Sequence, residues 1–350
     1  MDRELARVLA EASPVQDKLE EVVKRAFHIG NGDVTALIMG NENGLSLSIT
    51  KNDVWDKRLI TEEDHDILTD DEIRKYAMET AYGERNLFVN LDSNAPITGG
   101  KDSYDRPYPC PVICARLFIT ADMEGAVHRL DLETAKAESV LRSGKIRFYI
   151  AYNHNILIVE GWTEENKEEV IPVCHVDMEP PVIVTKDDCQ VLLQHMPGDI
   201  DVADYYYAVA WKRFSSSRLA ISVHVANSAD DAAAGAAGEL NLFGNDETVY
   251  EEHKNAWDAY WSRSFVEMDD KLLQAVWYRN TYLLGSCAKS GCASPALFTG
   301  LNSDTPFWHG DYHMNYNYQS VFAGAYITNH CDVFHAFVFE SRKMDCKENI

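Results

Sequence analysis

The stretch Ala36-Leu37-Ile38-Met39-Gly40-Asn41-Glu42-Asn43-Gly44-Leu45-Ser46-Leu47-Ser48-Ile49-Thr50 decides the fold class. An apolar run ends at a Gly/Asn turn, and the second arm then alternates, with Leu45, Leu47 and Ile49 set against Ser46, Ser48 and Thr50. Side chains of a strand point to opposite faces in turn, so the pattern predicts a β-hairpin whose second strand buries one face. Leu45, Leu47 and Ile49 are therefore expected to point into a core. Working outward, comparable short runs lie at 112–119, 146–151, 156–160, 182–185, 191–195, 205–211 and 219–225. Short strands punctuated by turns predict an antiparallel β-sandwich.

On the N-terminal side, residues 1–26 read as helical, with Leu5, Leu9, Leu19, Val22 and Val23 spaced for one face. Ser13-Pro14 interrupts that pattern and is expected to start a second turn of helix. On the C-terminal side, the Ala/Gly/Asp tract from Ser228 to Gly238 carries no bulk to pack and reads as a loop or linker. Helical periodicity follows. Val249, Trp257, Tyr260 and Trp261 share one face, and Leu272, Leu273, Val276, Trp277, Leu283 and Leu284 stripe the next helix. The expected organisation is a β domain over 1–228, a linker with a helix over 229–265, and the opening of a helical domain over 266–350.

The 350 residues carry 32 Lys+Arg against 56 Asp+Glu, a net charge of -24 that repels phosphate backbones. Nucleic-acid binding is excluded on that ground, and an anionic membrane surface is disfavoured. No apolar stretch reaches the length of a membrane span. Asp2, Arg3, Glu4 and Arg7 break up any apolar signal-peptide core, so the expected location is the cytoplasm. The cysteines at 110, 114, 174, 189, 287, 292, 331 and 346 form no CxxC pair, which predicts thiols rather than a zinc ribbon or a disulfide framework.

The densest polar-aromatic segment is Phe307-Trp308-His309-Gly310-Asp311-Tyr312-His313-Met314-Asn315-Tyr316-Asn317-Tyr318-Gln319. Sugars need that mixture, because their hydroxyls take polar partners and their C–H faces take an aromatic platform. The same composition also suits a helix start in which Asn and Asp cap while the aromatics pack. A metal reading rests on His309 and His313 at i and i+4, with His330 and His335 downstream. HExxH is missing, however, and Gly310 argues against a regular helix there, so no metal site is assigned. Gly30-Asn31-Gly32-Asp33 lacks the third glycine of a dinucleotide fingerprint and the GK[ST] of a phosphate loop. It reads as a bend leading into the hairpin.

Two separated segments together resemble the glycoside hydrolase family 95 group, the α-L-fucosidases and their relatives. The first runs from His28-Ile29-Gly30-Asn31-Gly32-Asp33 through Ala36–Gly40 to Asn52-Asp53-Val54-Trp55. The second holds Tyr282-Leu283-Leu284-Gly285-Ser286, Gly291, Pro295, Leu297, Gly300, and Trp308 through Gln319. The resemblance implies an antiparallel β-sandwich, a helical linker and the first helices of an (α/α)6 barrel that holds the active site. It implies inverting hydrolysis of an α-linked sugar in an oligosaccharide or glycan, without a cofactor. Asn315 and Asn317 match the asparagines that orient the attacking water, and His313 matches the histidine that contacts the sugar. Trp308, His309 and Asp311 join His313 as candidate substrate-binding residues. The family's general acid and carboxylate base lie further along than Ile350, so an N-terminal fragment is expected. Tyr318-Gln319-Ser320-Val321-Phe322 departs from the family pattern, which leaves the sugar open. The competing expectations are a non-catalytic carbohydrate-binding or interaction module and a metal-dependent hydrolase using the histidines.

Overall fold

Sixteen strands are present among the described residues. They are β1 (Val15–Gln16), β2 (Phe27–Gly30), β3 (Val34–Asn41), β4 (Gly44–Lys51), β5 (Trp55–Asp56) and β6 (Cys110–Pro111). Then come β7 (Ala115–Thr120), β8 (Val127–Asp131), β9 (Lys136–Leu141), β10 (Gly144–Ile150) and β11 (Ile156–Glu160). The last are β12 (Glu168–Pro172), β13 (Val182–Lys186), β14 (Cys189–Met196), β15 (Tyr205–Ser215) and β16 (Arg218–Ala226). The α-helices whose bounds lie among the described residues are α1 (Arg3–Ala12), α2 (Ala229–Leu242), α3 (Asp246–Trp261), α4 (Lys271–Cys287) and α5 (Tyr316–Ile327). The structure is a computed structural model. It describes residues 1–20, 24–58, 69–71, 74, 107–161, 163, 166–199, 202–243, 246–297, 307–310, 312–314 and 316–337.

The hairpin forms where its alternation predicts. β3 and β4 pair antiparallel, with Ala36 opposite Ile49 and Ile38 opposite Leu47. A five-stranded sheet grows around it in the order β12-β7-β4-β3-β2, and a nine-stranded sheet runs β1-β8-β9-β10-β11-β16-β15-β14-β13. Both are antiparallel among the described residues. Leu45, Leu47 and Ile49 are fully buried in one apolar core with Phe148, Leu157, Leu192 and Val209 of the larger sheet. Each such side chain contributes about 1.5–3 kcal/mol through burial, so a one-residue register slip is strongly disfavoured. The fold is thus mixed β and α, built on two large antiparallel sheets that share a core.

Three expectations are corrected. The N-terminal helix stops at Ala12, and Pro14 does not begin another turn. The Ser13 hydroxyl donates back to Leu9 O at 2.8 Å, and the chain then extends so that Val15 and Gln16 pair with β8. Edge pairing gives this backbone the partners that a proline-headed helix would have had to rebuild. Val22 and Val23 lie outside the described residues.

The Ala/Gly/Asp tract is no loop but helix α2. Ser228 caps it by accepting from the Asp231 N–H, and Asp230 and Asp231 sit in the first turn, where the helix dipole favours them. Ala232, Ala233, Ala236, Ala237 and Leu240 are buried on the outer face of the nine-stranded sheet, against Ile158, Val191, Ala208 and Ala220. Small side chains let the helix lie close enough for the Ser222 hydroxyl to donate to Ala236 O at 2.6 Å. Lack of bulk was the means of packing, not a sign of none.

The α4 stripe is buried only in part: Leu284 is buried and Trp277 and Leu283 are half-buried, but the first turn departs from it. Leu272, Leu273 and Val276 are exposed, and the buried face carries Gln274, Tyr278, Thr281, Tyr282, Gly285 and Ser286. The tyrosines pack as rings and still satisfy their hydroxyls, Tyr278 donating to Val266 O and Tyr282 to His28 O. Val249, Trp257, Tyr260 and Trp261 of α3 are buried as their spacing predicts. Among the described residues no helix is long and apolar enough to cross a membrane.

Candidate functional site

The site grows from two turns of the five-stranded sheet. In the first, Asn31 is fully buried between β2 and β3. Its Oδ1 accepts from the Asp33 and Val34 N–H groups at 3.1 and 2.9 Å. Its Nδ2 faces Ala151 O, His154 O and Asn155 Oδ1 at 3.1, 2.8 and 3.1 Å. Gly32 adopts φ +88, and its N–H donates to Ser286 O at 2.9 Å. A Cβ there would lie 2.4 Å from Lys289 Cβ, so only glycine lets this turn sit under the end of α4. The bend read from the sequence is also a joint between the sheet and the helices.

The second turn, 51–54, follows β4. Asn52 is buried, and its Nδ2 lies 3.1, 2.9 and 3.1 Å from Gly32 O, Cys287 O and Ala293 O. Beside it the buried Lys51 ammonium donates to Asp33 Oδ1 at 3.1 Å and to Asp53 Oδ1 at 2.7 Å. Burial pulls the Lys51 pKa down, but the charges of Asp53 and then Asp33 outweigh it, so the ammonium titrates above its ordinary value. Asp33 Oδ2 accepts from Asn155 Nδ2 at 2.8 Å, which ties the cluster to the loop after β10.

His28 closes the joint from below. His28 Nδ1 lies 3.2 Å from Ser286 Oγ, which also bonds Leu283 O at 3.0 Å, and Nε2 faces Cys287 Sγ at 3.6 Å. Burial pushes the imidazole pKa down to about 4, so it is neutral at pH 7.

The aromatic-rich segment docks on this base through rings. Trp55 and Tyr312 meet with centroids 4.9 Å apart, and Tyr312 packs edge-on against Tyr318 at 5.0 Å. The Tyr312 hydroxyl donates to Ser294 O at 3.1 Å. His309 is buried in a 3-10 turn, Phe307–Gly310, with its ring stacked 3.6 Å from that of Tyr108. His309 and His313 adopt φ +54 and +39, so they do not share the face of a regular helix, in line with the effect expected of Gly310. His313 is half-buried, and its carbonyl accepts from the Tyr318 N–H at 3.3 Å. Asn317 is half-buried in the first turn of α5. Trp308 belongs to the 3-10 turn. Its side chain, and all of Asp311 and Asn315, lie outside the described residues.

The downstream histidines are spoken for elsewhere. His330 faces Tyr260 O and Thr328 Oγ1, and His335 faces Ser290 Oγ. Among the described residues no group of three His, Cys, Asp or Glu could hold a metal ion. Lys51 and Tyr108 stand outside every motif read from the sequence, and Asp53 stands only within the Asn52–Trp55 segment, without a role. Lys51 carried a usable signal, because it falls in phase with Leu45, Leu47 and Ile49, on the inward face of β4.

No family model matches the chain, and no curated protein matches it.

Proposed function

We propose that this chain acts on α-linked sugars in the manner of the glycoside hydrolase family 95 group. In this reading the two facing sheets are its β-sandwich, and α4 and α5 open an (α/α)6 barrel. One observation carries the reading. The two stretches that bear the resemblance, some 230 residues apart in the chain, meet through Asn52 with Cys287 O and Ala293 O, and through Trp55 with Tyr312. Their residues thus form one wall, which combines aromatic rings with half-buried polar groups in the way sugar recognition requires.

In the mechanism, the Asn317 carbonyl, with Asn315, orients a water on the face of the sugar opposite the leaving oxygen. A neutral amide takes up no proton at pH 7, so the proton goes to a carboxylate base while a carboxylic acid protonates the leaving group. His313 donates to or accepts from a sugar hydroxyl. The substrate class is an oligosaccharide or glycan, and the chemistry calls for no cofactor.

The test is saturation-transfer NMR of the chain with methyl α-L-fucopyranoside and methyl α-D-galactopyranoside. Saturation of at least one sugar is expected, and it should weaken about tenfold in His313→Ala and Asn317→Ala without loss of melting temperature. A chain that saturates neither sugar refutes the proposal. Binding that His313→Ala and Asn317→Ala leave unchanged selects the carbohydrate-binding or interaction module instead.

A further inference from the structure

Three carboxylates stand on the sheet side of this wall, and their oxygens are committed differently. Asp56 is buried, and both its oxygens are held by Arg58, Nε to Oδ1 at 3.0 Å and Nη2 to Oδ2 at 2.8 Å. Asp33 has a side chain only 10% exposed, with Lys51 at 3.1 Å from both oxygens and Asn155 also on Oδ2. Asp53 is 38% exposed and spends one oxygen, Oδ1, on Lys51. Its Oδ2 has no protein partner among the described residues.

Charge counting points the same way. Lys51 brings one positive charge into a buried position, and Asp33, equally buried, already balances it. With two carboxylates on one ammonium the cluster keeps a net negative charge, and Asp53 is the more exposed of the two acids. Asp53 sits in the turn that also carries Asn52, bonded to the 287–293 segment, and it lies two residues before Trp55, whose ring meets Tyr312. An ionised carboxylate accepts through two oxygens and donates through none, so its natural partner here is a hydroxyl donor beside an apolar face. Building on the sugar-site reading above, we propose that Asp53 is the carboxylate of this site that accepts hydrogen bonds from sugar hydroxyls, with Lys51 as its positioning residue.

The experiment compares wild type, Asp53→Asn and Lys51→Met with the same two methyl glycosides, reading affinity and melting temperature together. If Asp53 binds sugar, Asp53→Asn weakens binding about tenfold or more, the size of a charge-assisted hydrogen bond, beyond whatever its lost ion pair with Lys51 takes from the melting temperature. Lys51→Met should also weaken binding, because it releases the carboxylate, while lowering the melting temperature through the unpaired Asp33. If Asp53 serves only to neutralise Lys51, Asp53→Asn lowers the melting temperature and leaves affinity alone, and the assignment falls. A second measurement needs no variant. The Asp53 Cγ resonance of wild type must shift as the sugar saturates, and a static resonance overturns the proposal even if the variants fail to fold. A wild type that binds neither sugar overturns the sugar-site reading and this assignment together. A wild type that binds with an indifferent Asp53 overturns this one alone.

Discussion

Replacing Asn52 tests whether the hairpin and the helical segment form one cooperative unit. Its Nδ2 group carries two hydrogens and faces three buried carbonyls, of Gly32, Cys287 and Ala293, at 2.9–3.1 Å. In Asn52→Ala at least two of those acceptors lose their donor, and water has little access to a residue so buried. At about 1–3 kcal/mol for each buried polar group left unsatisfied, the expected loss is about 2–4 kcal/mol. Asn52→Asp keeps the shape and reverses the chemistry, setting an oxygen against three carbonyl oxygens. It should cost more than the alanine change, although it is the smaller alteration in volume. The assay is urea unfolding followed by tryptophan fluorescence, with stability taken from linear extrapolation. Trp55 reports from the sheet, and Trp257 and Trp261 report from α3. In the wild type their signals should coincide, and in Asn52→Asp the α3 signal should move first. A loss below about 1 kcal/mol for alanine, or an aspartate variant as stable as alanine, would refute the reasoning.

Two further outcomes are expected. His28 titrates at about 4 in the fold against 6.5 in the free side chain, so the unfolded chain takes up its proton first. Stability that is full above pH 6.5 is therefore lost as pH falls toward 4, and His28→Gln should flatten part of that loss in unfolding midpoints measured at pH 7 and 4.5, with an unchanged slope counting against it. His253, also lowered to about 4 by burial, should keep the remainder of the slope. Among the cysteines, Cys174 and Cys331 are exposed, whereas Cys114 is buried with its thiol pushed up to about 12. Iodoacetamide mapping by mass spectrometry should label the first two in the native protein and Cys114 only after unfolding, and early labelling of Cys114 would contradict its place in the core.

The parts of the fold that could be read from sequence were those where a single period governs burial. The alternation at Leu45, Leu47 and Ile49 suffices because one face of β4 meets only apolar side chains. It misleads at Lys51, which keeps the inward phase yet carries a charge, and which is accommodated only because Asp33 arrives from the turn between β2 and β3 and Asp53 from the turn just past the strand. Such partners are invisible to a pattern within one strand. The α2 error has a similar root, since a scale that rewards bulk undervalues alanines that bring a helix close to a sheet. On α4, hydropathy favours Leu272 and Leu273 over Tyr278 and Tyr282. Burial there is decided by where a tyrosine hydroxyl finds a carbonyl, at Val266 and His28, and that is a tertiary fact.

The same bookkeeping narrows the chemistry of the site. Asn31 looks like a ligand residue in a glycine turn, but its amide and carbonyl are consumed by the 151–155 loop and by its own turn. The Gly32 N–H, which an anion would need, is given to Ser286 O. Asn52 is spent on carbonyls and Asp56 on Arg58. The turns that carry the first half of the resemblance are therefore mostly fasteners, whose side chains satisfy buried backbone groups. Function has to be sought in what the fastening leaves over. On the sheet side that is the second oxygen of Asp53, and on the helical side it is the half-buried side chain of Asn317. A ligand that engages both sides must bridge the joint, so its affinity should depend on Asn52 even though Asn52 never touches it. In Asn52→Ala, methyl glycoside binding should weaken while the Asp53 Cγ resonance still responds to saturating sugar. If binding stays at wild-type strength in a variant whose joint is measurably loosened, the two sides do not form one site.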